Sequence, residues 1–221
     1  PEHDDPQHHL HILAYPCTAD DLFGPAEQFI ILTGSIHEPT WQEARKKLHE
    51  GRPYLIWTIG TGHDQEIASD ILGPFPNECL LLPDPAIADT ANLSQMALQI
   101  FFIHTPWSVC PQRGSLIGYD LSDTKGIFAG KSVKVATMTS DKDNYRHNFS
   151  RFLNKNEADL IRAQGTLMSL WGRDEVLSIP TASDLWDEMK RITMSDASQV
   201  LTFHILPDDG PDFMATLFFT C

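Results

Sequence analysis

Basic residues are scarce in this chain. Sixteen Lys and Arg stand against 30 Asp and Glu, leaving a formal net charge of −14 at pH 7. A field of that sign disfavours non-specific binding to nucleic acid or to an anionic membrane surface. The one basic cluster, Arg45-Lys46-Lys47, sits among Glu43, His49 and Glu50 and reads as a solvated helix face. Cysteine is equally sparse. Cys17, Cys79, Cys110 and Cys221 complete the set, and no two lie at metal-clip spacing. A zinc ribbon or a Cys-x-x-Cys redox site therefore has no support, and free thiols in a reducing compartment are the expectation. Apolar runs such as Ala97–Ile103 fall well short of a membrane span. No opening combines a basic segment, an apolar stretch and a small-residue cleavage site, so no signal peptide is visible. The expected setting is intracellular and cytoplasmic. Complete catalytic motifs are also missing: there is no P-loop, no Gly-x-Ser-x-Gly, no EF-hand loop and no His-Glu-x-x-His.

What remains is the composition of a folded protein. Of 221 residues, 42% are hydrophobic and 21% charged, enough apolar matter for one substantial core. Residues 1–7 read as a polar tail, and residues 8–221 as a single globular domain. Strands are expected at His8–Tyr15, Gln28–Leu32, Pro53–Ile59, Cys79–Leu82 and Ser132–Met138. Pro53–Ile59 is apolar on both faces, which suits a central strand covered on both sides. Thr40 and Glu43 make a capping-box pattern that opens a helix near 40–50, with Gly51 as its stop. A second helix is expected near 154–171, with Leu160, Ile161, Gln164, Leu167, Met168 and Trp171 along one stripe and Gly165 as a weak point. A third is expected near 182–194, opened by Thr181 and Asp184. The end reads as a β-hairpin, Val200–Leu206 and Phe213–Phe219, around Pro207-Asp208-Asp209-Gly210-Pro211. Strands at both ends with helices between them, out of regular βαβ alternation, predict an α+β fold with a mixed sheet.

The segment Tyr54–Asp84 is the most suggestive chemically. An apolar strand runs into Gly60-Thr61-Gly62, then a helix-compatible stretch, then a second strand that ends at Asp84, 22 residues after Gly62. Glycines at a strand-to-helix turn let a backbone approach a phosphate, and an acid at the end of the next strand can accept ribose hydroxyls. In outline this resembles the cofactor corner of Rossmann-type methyltransferases and dehydrogenases. The resemblance implies a nucleotide-type cofactor held by Gly60, Thr61, Gly62 and Asp84. A third glycine is lacking, because Asp64 and Gln65 occupy its places, and Thr58 stands where methyltransferases usually carry an acid. A turn that simply needs positive φ explains the same glycines.

Other chemistry-bearing residues are dispersed. His9 and His11 share one strand face and could hold a metal, with His3 and His8 nearby, but no carboxylate follows at a matching interval. His63, Asp64 and Glu66 could form a base or metal site on a first helical turn, and equally are acids complementing a helix dipole. Cys110, between Val109 and Pro111, reads as a buried or loop thiol. Asp208 and Asp209 read as turn residues bonding their local backbone. Phe213, Phe218 and Phe219 point to both faces of the last strand, so both faces need cover, from within the sheet or across a subunit boundary. The function expected is binding or assembly, with a protein partner or self-association. The alternative is a transferase or oxidoreductase with a nucleotide-type cofactor, and behind it a metal-binding protein using the N-terminal histidines.

Overall fold

The computed structural model describes residues 11–14, 29–34, 46, 50, 55–60, 77–83, 99–100, 121–194, 196–206 and 210–220. The chain divides into two compact units, residues 1–97 with 129–132, and residues 98–128 with 133–221. The fold is α+β with mixed strand directions, as the element pattern predicts.

The first unit carries four parallel strands, β1 (His11–Ala14), β2 (Phe29–Gly34), β3 (Leu55–Gly60) and β4 (Glu78–Pro83), each hydrogen-bonded to the next. The expected central strand is there: β3 lies between β2 and β4. Leu55, Ile56, Trp57 and Ile59 are at most 1% exposed, which accounts for a run apolar on both faces. Each such side chain contributes about 1.5–3 kcal/mol by leaving water. The order β1-β2-β3-β4 shows no reversal. It therefore differs from the Rossmann arrangement, in which ligands sit where strand order turns back. Beyond β4, Gly130 donates its N–H to the Glu78 carbonyl (2.6 Å) and Leu80 donates to the Lys131 carbonyl (3.1 Å). Gly130 has φ 73°, a left-handed conformation that glycine alone adopts without cost. Lys46 and Glu50 are helical, and the rest of the expected 40–50 helix lies outside the described residues, as does the 1–7 tail.

The second unit holds β5 (Ser132–Ser140, entering it at Val133), β6 (Gly165–Gly172), β7 (Ser198–Ile205) and β8 (Phe213–Thr220) in the order β5-β8-β6-β7. Its helices are α1 (Leu121–Phe128), α2 (Tyr145–Leu160) and α3 (Ile179–Lys190). β8 runs antiparallel to both β5 and β6, whereas β6 and β7 are parallel. The two C-terminal strands thus run antiparallel to each other, and both hydrogen-bond to β6, which lies between them.

The helix expected near 154–171 is corrected. It starts earlier, at Tyr145, and stops at Leu160, and Gly165–Gly172 is a strand. β6 is buried at every position, because it lies between two other strands and is covered above and below. A run apolar on both faces carries neither a period of two nor of 3.6, so Leu167, Met168 and Trp171 fit a helical stripe just as well. The α2 stripe is Phe149, Phe152, Leu153 and Leu160, at helical spacing. Asp141 shapes the turn before α2: its carboxylate accepts from the backbone N–H of Asp143 (3.0 Å) and of Asn144 (2.9 Å). Helix α3 begins earlier than expected, at Ile179, capped by Ser178, whose hydroxyl accepts from the Thr181 N–H (3.3 Å), with a proline in its first turn.

One face of this sheet packs Met168, Leu170, Phe203, Phe213, Ala215, Leu217 and Phe219 against α2 and α3. Phe149 meets Phe213 edge-on at 6.4 Å. No described helix is long and apolar enough to cross a membrane.

Candidate functional site

Of the four residues expected to hold a cofactor, Gly60 is described: it is the last residue of β3. Thr61, Gly62 and Asp84 lie outside the described residues, as do His3, His8, His9, His63, Asp64, Glu66, Cys110, Asp208 and Asp209. His11 opens β1. Register places Gly60 beside Gly34, the last residue of β2. Two residues without Cβ thus lie side by side at the carboxyl end of adjacent parallel strands. β4 ends at Pro83, immediately before Asp84, and its Leu81 is paired with Ile59 of β3. The topology therefore brings the ends of all three strands to one edge.

Below that edge the first unit buries a carboxylate. Glu78 is 0% exposed and accepts a hydrogen bond from the Thr58 hydroxyl at 2.5 Å. The Thr58 hydroxyl is thus committed to its neighbouring strand. Next to it, Cys79 donates its thiol to the Ile56 carbonyl (3.4 Å). Burial, and secondarily the charge of Glu78, push the Cys79 pKa well above the usual thiol range. A thiol so held stays protonated at neutral pH and is a poor nucleophile.

The second unit contains a polar feature that sequence reasoning missed. On the sheet face opposite α2 and α3, register aligns Thr137 of β5, Thr216 of β8, Ser169 of β6 and Thr202 of β7 on a single rung. Thr216, Ser169 and Thr202 are all 0% exposed. Thr216 donates to the Gln99 side-chain carbonyl (3.0 Å), which makes Thr137 the donor in the 3.2 Å Thr137–Thr216 bond. The Gln99 amide donates in turn to the Met214 sulfur (3.2 Å). Ser169 Oγ accepts from Thr202 (3.0 Å) and from the Trp171 indole N–H (2.7 Å). Trp171 stacks on His204 with ring centroids 4.0 Å apart. No local signal could have found this row, because each hydroxyl sits on a different strand and only pairing aligns them. The row satisfies its own polar atoms and pins strand register: a one-residue slip would move every hydroxyl to the α2–α3 face.

Among the described residues, no group of three or more His, Cys, Asp or Glu could hold a metal ion. The chain matches no protein-family model and no curated protein. Solved structures to which it is similar include an empty FtsZ dimer from M. jannaschii, at 14% identity and TM-score 0.48, covering 87% of this chain and 54% of that one. CetZ from Methanosaeta thermophila is similar at 11% identity and TM-score 0.46, covering 88% of this chain and 52% of its own. The chain spans about half the length of these structures. At this level of likeness the functional reading rests on the chain's own residues.

Proposed function

We propose that this chain is a binding protein that takes a nucleotide-type ligand at the carboxyl edge of its parallel strands. In this reading Gly60, Thr61 and Gly62 admit the phosphate portion and Asp84 accepts the ribose hydroxyls. The observation that carries it is the pairing of Gly34 with Gly60 at the ends of β2 and β3. A Cβ-free patch two strands wide lets a ligand approach the main chain, whose N–H groups can then bond phosphate oxygens. In open sheets such ligands bind outside the carboxyl ends of the strands where strand order reverses, and this edge shares the carboxyl ends without the reversal. No reaction is assigned.

Thermal melting with a panel of adenine and guanine nucleotides tests the reading. A ligand at about 100 times its Kd adds about 2.7 kcal/mol of stability. For a chain of this size that raises Tm by roughly 5–10 °C. Gly60→Val and Gly62→Val should each remove the shift by filling the space the phosphates need. No shift with any nucleotide, or a shift that survives both substitutions, overturns the proposal.

A further inference from the structure

Helix α2 is charged against its own dipole. From Tyr145 to Asn156 it carries Arg146, His147, Arg151 and Lys155 and no acid, while its acids, Glu157 and Asp159, fall in the last turn. Acids stabilise a helix at its amino end and bases at its carboxyl end, so this distribution works against α2. A local rule broken with no local gain is a mark of function. The bases lie at the surface: Arg146, His147, Arg151, Asn154 and Lys155 are exposed, whereas Phe149, Phe152, Leu153 and Leu160 form the buried stripe. On the flank toward α3, charge is balanced, because Arg146 pairs with Asp184 (3.1 Å) and Ser150 donates to Glu188. At the far end Asp159 is taken up by Lys134 (2.9 Å) and Arg162 (3.2 Å). Arg151 has no hydrogen bond or ion pair with a described residue. His147, Arg151 and Lys155 are spaced four residues apart and so stand on successive turns, about 6 Å from one another.

We infer that this row docks an acidic peptide segment of a partner protein, whose carboxylates pair with Arg151 and Lys155 and accept hydrogen bonds from Asn154 and His147. The inference is independent of the nucleotide reading, because α2 belongs to the second unit and β2 and β3 to the first. Charge complementarity selects the occupant. A guanidinium and a carboxylate form two parallel hydrogen bonds, the strongest pairing such a surface offers. Side chains on one face of an extended segment recur about every 7 Å, so acids at alternate positions match the row. Long polyanions fit it poorly. Nucleic acid draws its affinity from many phosphates neutralised together, and this row supplies few cations. A nucleic acid or a membrane also runs on past the row, over a chain that carries 30 acids against 16 bases. A short segment meets the row alone.

The test is fluorescence anisotropy of a short dye-labelled Glu-Ala repeat titrated with the full chain. Saturable binding is expected at 0.01 M salt, weakening toward 0.15 M as the Debye length falls from about 30 Å to about 8 Å. Arg151→Gln together with Lys155→Gln should weaken binding about tenfold or more and leave the helix intact, because Gln is a comparable helix former. If that pair fails to fold by circular dichroism, Arg151→Gln alone is read in the same way. His147→Glu separates docking from stability: by placing an acid in the first turn it should raise Tm, and it should weaken binding. No binding of the repeat at 0.01 M salt overturns the inference, as does binding that the Gln substitutions leave unchanged. A single-stranded oligonucleotide or a phosphatidylserine vesicle bound more tightly than the repeat overturns it in favour of a polyanion surface. A Tm lowered by His147→Glu would make the row a structural feature and overturns it too.

Discussion

Thr216 is the residue on which the polar row of the second unit turns. Its hydroxyl donates to Gln99 and accepts from Thr137, and it is wholly buried. Valine has nearly the same shape and neither capacity. Thr216→Val should therefore leave the Gln99 carbonyl without this donor and cost about 1–3 kcal/mol, the usual penalty for a buried polar group deprived of its partner. Thr216→Ser keeps the hydroxyl and should lose less than Thr216→Val. Urea denaturation reads both. Combining Thr216→Val with Gln99→Met should cost less than the sum of the single losses, because the group left unsatisfied by the first change is removed by the second. Additive losses would show that the two side chains do not act together. The same logic separates Cys79 from a functional thiol. Its pKa is raised in the folded state, so its neutral form is what the fold favours. That contribution is complete below the unfolded thiol value and falls away as pH rises through it, since the unfolded chain then loses the proton first.

Elements were legible where their pattern had one meaning. Pro53–Ile59, apolar throughout and closed by Gly60, reads as a central strand and is one. Ser132–Met138 alternates well enough to read as a half-exposed strand, and β5 follows it. Residues 160–171 admit two meanings, and Gly165 shows which one tertiary structure selects. Within a helix it would be a mild weakness, but at the start of β6 it is where Ile127 of α1 packs against the main chain. A Cβ built there would collide with the Ile127 methyl and lie 3.6 Å from that of Thr220. The glycine is therefore set by a neighbour far away in sequence, which no local reading supplies. The candidate site follows the same division. Its glycines could be read directly, whereas the pairing of Gly34 with Gly60 and the rung of hydroxyls exist only through register. Gly165→Ala should cost about 1–3 kcal/mol, the typical range for overpacking a close contact. Ile127 is branched at Cβ and buried, and it cannot swing aside. Adding Ile127→Ala, which removes the offending methyl, should bring a loss smaller than the two single losses together. A Gly165→Ala variant that melts at the wild-type temperature would place the α1–β6 contact farther apart than described.

At the scale of the whole molecule, net charge opposes self-association. Every copy carries a formal −14, so two copies repel at long range whatever their contact surface. Should copies of the chain associate through an uncharged contact, its hydrogen bonds and apolar pairs would be nearly indifferent to salt. Ionic strength should consequently act on the repulsion alone. The Debye length shrinks from about 30 Å at 0.01 M salt to about 8 Å at 0.15 M. Over that range the dimer fraction at fixed protein concentration should rise, and above it the gain should level off, because distant charges no longer see one another. Sedimentation in a sodium chloride series reads this directly. A dimer held by ion pairs between complementary patches would respond the other way and dissociate as salt is added. A dimer fraction that falls between 0.01 and 0.15 M salt would therefore point to an interface built from charged patches.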